Sequence, residues 1–195
     1  MSEKDLPVRK NALMRFVGGA ILKLMGWKIN GPFPSVPKAV VIAAPHTSNW
    51  DFIIGIAAKF QLQLQIHWLG KDTLFRRPFA WLFQWLGGTP VRRSTPEGVV
   101  EQTVNLFKRH DQYLLGLSPE GTRKKVDQWK TGFYHIARGA GVPIVPVAFD
   151  YARKTILIGE PFLPSESMEL HFAALRNFYS AVEGKFQQNF NKQFV

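Results

Sequence analysis

The chain of 195 residues contains no cysteine, which excludes a disulfide scaffold, a thiolate metal site and a cysteine acyl-enzyme together. It has no run of 18 uncharged apolar residues, so no segment is expected to cross a bilayer as a helix. The first ten residues carry charges of both signs and lead into no apolar stretch with a small-residue cleavage site, so no signal peptide is expected. A Gly-x-Ser-x-Gly elbow is missing as well. Acidic residues are scarce: Asp+Glu 14 stand against Lys+Arg 25, a net charge of +11. That balance attracts polyanions, whether nucleic acid, an anionic membrane face or phosphorylated small molecules.

Aromatics, in contrast, are plentiful, with 6 Trp and 16 Phe. They cluster in apolar company instead of alternating singly with Lys and Arg, as a base-stacking surface requires. No recognition-helix or zinc pattern accompanies them, so nucleic acid is not an expected partner. With 46% apolar residues and no repeat, linker or low-complexity tract, the chain reads as one folded domain.

From Val8 to Lys28 the residues Leu13, Phe16, Val17, Ala20, Ile21, Leu24 and Trp27 share one helical face, with Arg15, Gly19, Lys23 and Gly26 opposite. That face suits either a terminal helix packed on the core or an interfacial helix lying on anionic lipid. Three prolines between Pro32 and Pro37 then forbid helix.

Beyond them, strands are expected at Ala39–Ala44, Leu62–Leu69, Tyr113–Leu117 and Lys154–Gly159. Val142–Phe149 is strand-like, with Pro143 and Pro146 implying an edge or a bend. Helices are expected at Trp50–Phe60, capped by Ser48 or Asn49, at Pro96–His110 and at Gly132–Ala140. A closing helix is expected over Ser165–Phe190, broken at Gly184. Leu74–Leu86 carries five aromatic rings, with Arg76-Arg77 near its start, and reads as a helix, filling the core or meeting lipid. Gly87 to Arg93 reads as a turn leading to a basic pair. The alternation predicts a single α/β domain with a mixed central sheet flanked by helices and an N-terminal amphipathic helix.

Two turns carry the chemistry. Val40-Val41-Ile42-Ala43-Ala44-Pro45-His46 ends a β-branched run at a histidine, and Asp51 follows five residues on. Five residues on a helix leave two side chains about 140° apart. The pair can meet only if His46 precedes the helix and Asp51 sits in its first turn. An Asp on Nδ1–H then fixes the tautomer and leaves Nε2 to take a proton. A structural hydrogen bond explains such a pair equally well. With neither cysteine nor serine elbow, the nucleophile is left to the substrate, and a hydroxyl attacking a thioester fits. The other histidines lack spacing that would join His46 in a ligand set, so no metal is expected.

The second turn, Ser118-Pro119-Glu120-Gly121-Thr122-Arg123, follows another apolar run and leads into Lys124-Lys125. It is either an ordinary basic loop or an anion site, since an Arg fork binds two phosphate oxygens at once. The two turns are expected to face one another across one site.

These residues resemble a known family. His46-Thr47-Ser48-Asn49-Trp50-Asp51 matches the H-x4-D motif of the lysophospholipid and glycerol-phosphate acyltransferases, and Pro119-Glu120-Gly121-Thr122-Arg123 is similar to their P-E-G-T-R motif. Gly88-Thr89-Pro90-Val91-Arg92-Arg93 resembles the G-x-P-V-x-R block, and Val142-Pro143-Ile144-Val145-Pro146-Val147 the V-P-I-V-P-V block. The chain departs from the family's usual residues at Pro45, Ser118 and Lys124.

The resemblance implies that His46 is the base and Asp51 its partner, with Arg93, Glu120, Gly121, Thr122 and Arg123 holding substrate. It implies an O-acyltransferase with no cofactor, moving an acyl group from acyl-CoA or acyl-carrier protein to a lysophospholipid, 1-acyl-sn-glycerol 3-phosphate first. A different lyso-lipid acceptor is the alternative, and behind it a non-enzymatic basic module binding membrane or nucleic acid. Residues 1–30 are then a membrane-interface helix and 31–195 the acyltransferase domain, peripheral on the anionic cytoplasmic face of the membrane.

Overall fold

The computed structural model describes residues 6–91 and 98–193. Seven strands form one sheet in the order β1 (Lys28–Asn30), β7 (Thr155–Ile158), β6 (Ile144–Asp150), β2 (Lys38–Ala44), β5 (Tyr113–Leu117), β3 (Ile66–Lys71), β4 (Gly88–Val91). Every pairing is parallel except β6 with β7. The expected mixed α/β sheet is what forms.

Connections set the position of the site. From β2 the chain passes through α2 (Asn49–Gln61) to β3, beyond β5. From β5 it passes through α5 (Gly132–Ala140) to β6, on the far side of β2. These two adjacent central strands therefore send their chains in opposite directions. A right-handed crossover puts the two helices on opposite faces of the sheet. A crevice opens between the carboxyl ends of β2 and β5, where open α/β sheets bind ligands. His46 and Glu120 both stand there.

The two faces have separate cores. Val40, Ile42, Leu115 and Ile144 point toward α4 (Gly98–Arg109), α5 and α6 (Met168–Tyr179), meeting Phe107, Phe133 and Phe172. Val41, Leu114 and Val145 point the other way, toward α1 (Ala12–Leu24) and α2, meeting Leu22, Ile54 and Ala57. Both faces are covered, which is why the central strands read as continuous apolar runs.

Several expectations are corrected by packing. The first helix is shorter than Val8–Lys28: Asn11 caps it by accepting from Met14 N–H, and Lys28 begins an edge strand instead. It docks on α2 through Gly18 and Leu22, while Leu13, Phe16 and Leu24 of the apolar stripe remain exposed. A Cβ at Gly18 would lie 2.4 Å from Ala57 O, so the helices approach on the one side chain that is absent.

The second strand begins at Ile66, not Leu62, because Leu62 caps α2 and Gln63 turns the chain at φ 56°. Leu74–Leu86 is no long helix. A 3-10 turn at Asp72–Phe75 precedes Pro78, and α3 spans only Ala80–Trp85. Gly88–Val91, expected as a turn, is the edge strand β4, where Pro90 is tolerated.

The strand expected to hold two prolines is central, not at an edge, and it starts after Pro143, so only Pro146 lies within it. Pro146 carbonyl accepts from Gly159 N–H just past the end of β7, and a residue's N and O point to the same side of a strand. The missing donor thus faces the neighbour where its ladder has already stopped. The closing helix ends at Tyr179, and residues 180–193 continue as an extended strap with one 3-10 turn at Gln187–Asn189.

Candidate functional site

Ser48 stops the incoming strand geometry and caps α2, its hydroxyl accepting from Trp50 N–H at 3.2 Å. Asp51 stands at the third helical position and completes a capping box, which brings its carboxylate back over the preceding turn. Its Oδ2 accepts the backbone N–H groups of Thr47 and Ser48, each at 2.8 Å. The same oxygen lies 3.2 Å from His46 Nδ1. Cap and imidazole therefore share one carboxylate oxygen. Asp51 is 1% exposed, while the His46 side chain keeps 28% of its surface open. With Nδ1–H directed at Asp51, Nε2 carries the free lone pair.

The second turn closes on the first. Glu120 Oε2 accepts His46 N–H at 2.7 Å and the Ser118 hydroxyl at 3.1 Å. Glu120 is buried, and among the described residues its Oε1 has no hydrogen-bond partner. Burial pushes its carboxyl up to about 7, with the Asp51 charge adding to the effect and the two hydrogen bonds opposing it. A proton on the unpartnered Oε1 fits that environment.

Gly121 turns the loop at φ 67°, and a Cβ there would crowd the Lys130 side chain at 3.2 Å. Thr122 accepts Lys124 N–H at 3.3 Å, and Arg123 is exposed. Thr122, Arg123 and Lys130 line the same cavity as His46. Arg93 lies outside the described residues, as do Arg92, Pro96 and Glu97.

That cavity holds about 700 Å³. Its rim is polar and cationic, and its body runs between α2 and the sheet past Val41, Gly55, Leu62, Ile66, Phe149 and Ile158. Lys59 intrudes on this apolar body, its Nζ donating to Ile66 O at 2.7 Å and Leu86 O at 2.9 Å. Burial, helped by the Arg9 charge, lowers its ammonium to about 8. A base beside cations at the mouth of an apolar channel suits deprotonation of an anionic amphiphile's hydroxyl next to an acyl chain.

Residues 30–150 match the family model described as Acyltransferase. The chain belongs to the acyltransferase family. Over 139 residues it is 30% identical to the 1-acyl-sn-glycerol-3-phosphate acyltransferase of Escherichia coli K12, a match covering 66% of this chain and 55% of that protein. It is 27% identical over 138 residues to the protein of the same description from Haemophilus influenzae, covering 66% and 56%. The chain thus spans about half the length of the curated relatives it matches. The crystal structure of the 1-acyl-sn-glycerophosphate acyltransferase PlsC from Thermotoga maritima superposes with a TM-score of 0.60 at 19% identity, over 89% of this chain and 80% of that one. At that identity the likeness speaks for the fold.

The acyltransferase segment contains both turns, but the site also draws on residues outside it. Tyr151, one residue past the matched segment, donates its phenol to Asp51 Oδ1 at 2.5 Å. Residues 183–186 press on the first turn: Phe186 N–H donates to Thr47 Oγ1, and a Cβ at Gly184 would lie 3.0 Å from Thr47. Lys185 lies over the Trp50 ring at 4.8 Å. Sequence reasoning passed over Tyr151, Lys59, Lys130 and this strap. No local pattern marks them, because each acts across the fold; Tyr151 and Asp51 are 100 residues apart.

Proposed function

We propose that the chain is an O-acyltransferase that moves a fatty acyl group from acyl-CoA or acyl-carrier protein to the free hydroxyl of a lysophospholipid, 1-acyl-sn-glycerol 3-phosphate first. The observation that carries this reading is the His46–Asp51 pair at the cationic rim of an apolar cavity. His46 Nε2 takes the acceptor hydroxyl proton as that oxygen attacks the thioester carbonyl. A new C–O bond forms, and collapse of the tetrahedral adduct breaks the C–S bond. The departing thiolate takes back the proton from the imidazolium.

Arg123, with Arg93, Glu120, Gly121 and Thr122, forms the acceptor side, where the guanidinium meets phosphate oxygens. The acyl chain occupies the apolar body of the cavity. The chemistry needs no metal or cofactor: a histidine base and a hydroxyl nucleophile complete it. Residues 1–30 form the membrane-facing unit and residues 31–195 the acyltransferase domain, working peripherally on the anionic cytoplasmic leaflet. Exposed Leu13, Phe16 and Leu24 on α1 and Phe79 and Trp81 at α3 support that placement.

The test is acyl transfer by the purified protein from one labelled acyl-CoA to a panel of lysophospholipids. Transfer to 1-acyl-sn-glycerol 3-phosphate is expected to exceed transfer to acceptors lacking the phosphate monoester. His46→Ala is expected to lower the rate ~10²- to 10⁴-fold with the fold retained. A folded His46→Ala protein with wild-type rates overturns the mechanism.

A further inference from the structure

The Asp51 carboxylate is divided between two tasks. Oδ2 meets Thr47 N–H, Ser48 N–H and His46 Nδ1, whereas Oδ1 meets the Tyr151 phenol. Tyr151 is itself fixed by distant parts of the chain. Its backbone N–H donates to Glu183 O at 2.8 Å in the C-terminal strap. Its ring stands edge-on to buried Trp27, with centroids 4.8 Å apart at 85°. Trp27 and Glu183 both lie outside the matched segment 30–150. Three separated stretches thus converge to hold one phenol against one carboxylate oxygen.

A buried carboxylate oxygen without a donor is costly, and a carboxylate held on one oxygen only can rotate about its last torsion. The phenol removes both problems. Burial and the hydrogen bond to Asp51 push the Tyr151 hydroxyl far above its ordinary range, so it stays a donor. We propose that Tyr151 is a positioning residue for acyl transfer, locking Asp51 through Oδ1 so that Oδ2 holds His46 with its proton on Nδ1 and Nε2 free as the base. The kinetic side of this proposal rests on the acyltransferase reading; the geometric side does not.

Charged groups surround the imidazole from several elements. Asp51 faces it from α2 and Glu120 from the turn after β5. Tyr179, from α6, is buried close enough to feel the Glu120 charge. Arg123 and Lys130 line the same cavity, and Lys185 lies above Trp50 from the strap. Removing the phenol leaves all of these in place and strips one donor from Asp51. The carboxylate is then free to turn about its last torsion, and Oδ2 no longer holds Nδ1–H in one geometry.

The experiment follows the His46 imidazole nitrogens by NMR against pH in wild type, in Tyr151→Phe and in protein carrying 3-fluorotyrosine at position 151. In the phenylalanine variant the Nδ1–H signal is expected to weaken and the Nε2–H tautomer to appear. The fluorinated phenol, a stronger donor of nearly the same shape, is expected to move the Nδ1–H signal by drawing charge toward Oδ1 and away from Oδ2, and it serves even if the phenylalanine variant does not fold. In the acyl-transfer assay Tyr151→Phe is expected to lower kcat about tenfold, with both KM values unchanged. Imidazole signals indifferent to both changes overturn the proposal, whatever happens to thermal stability. Altered imidazole signals in a protein that transfers acyl groups to no tested acceptor uphold the positioning role and overturn the acyltransferase reading.

Discussion

The backbone N–H of His46 donates to Oε2 of Glu120 at 2.7 Å, so the turn that carries the imidazole is held by the turn that carries the cations. Ser118 donates to the same oxygen. A change in the charge of Glu120 therefore reaches both turns at once, and its environment places that change near neutral pH.

The folded Glu120 carboxyl, near 7, holds its proton more tightly than the ordinary 4.5. Below the unfolded value both states are neutral there and the group contributes nothing. As pH rises from 4.5 to 7 the folded state keeps a proton that the unfolded state has lost, so native stability falls. Above 7 the cost is constant, on the order of 3 kcal/mol for this difference in proton affinity. Glu120→Gln keeps the acceptor oxygen and removes the titration. Urea unfolding at pH 5 and pH 8 is expected to show a smaller loss of stability on going to pH 8 in the variant than in wild type. Equal losses in the two proteins would remove Glu120 from this role.

What was legible in the sequence follows from how local each cause is. Tyr113–Leu117 and Gly132–Ala140 form as expected, because an apolar run bounded by turns, and a helix ended by a left-handed Gly141, are complete within their own stretch. The His46–Asp51 contact was legible for the same reason, since the capping box that creates it spans four residues. Pro146 misled because whether a missing N–H matters depends on where the neighbouring strand stops. α1 was legible as an amphipathic helix, but its docking face was not, because that face is made by Gly18, whose value lies in lacking a side chain. Tyr151 carried no local signal at all.

The docking of α1 gives a paired prediction from adjacent glycines. A Cβ at Gly18 meets Ala57 O at 2.4 Å, Gln61 N at 2.8 Å and Phe60 Cβ at 2.8 Å. Two of these atoms are backbone, which cannot move aside without shifting α2. Gly18→Ala is expected to destabilise the fold by about 1–3 kcal/mol in chemical denaturation. At Gly19 the nearest atom is the Gln61 side chain at 4.0 Å, so Gly19→Ala should stabilise by about 0.5–1 kcal/mol through helix propensity. Equal effects at the two positions would mean that the helices do not cross at Gly18.

Arg123 lines the cavity yet remains exposed, so its loss should leave the fold intact. Its guanidinium is proposed to bind the acceptor phosphate in both ground and transition states, an interaction that governs KM more than kcat. Arg123→Ala is expected to raise the acceptor KM about 10- to 100-fold, the range of a charge-assisted hydrogen bond, with the donor KM unchanged. A rise confined to the acyl-donor KM would assign this loop to the donor instead.

The outward face of α1 permits a test of membrane attachment that spares the core. Removing the whole segment would also remove Leu22 and Trp27, which are 1% and 7% exposed, and so confound binding with unfolding. Leu13, Phe16 and Leu24 share one helical stripe and are 64%, 73% and 87% exposed, so replacing them with Ser costs the folded protein little packing. On a bilayer each would enter the acyl boundary and contribute about 1.5–3 kcal/mol. Sedimentation with anionic vesicles is expected to show the triple variant losing at least about 100-fold in partitioning, with an unchanged melting temperature. Replacing Phe79 and Trp81, which are 60% and 68% exposed, is the companion measurement. If the α1 triple variant still binds and the Phe79/Trp81 variant does not, the aromatic segment is the anchor and α1 is a packing helix with an apolar outer face.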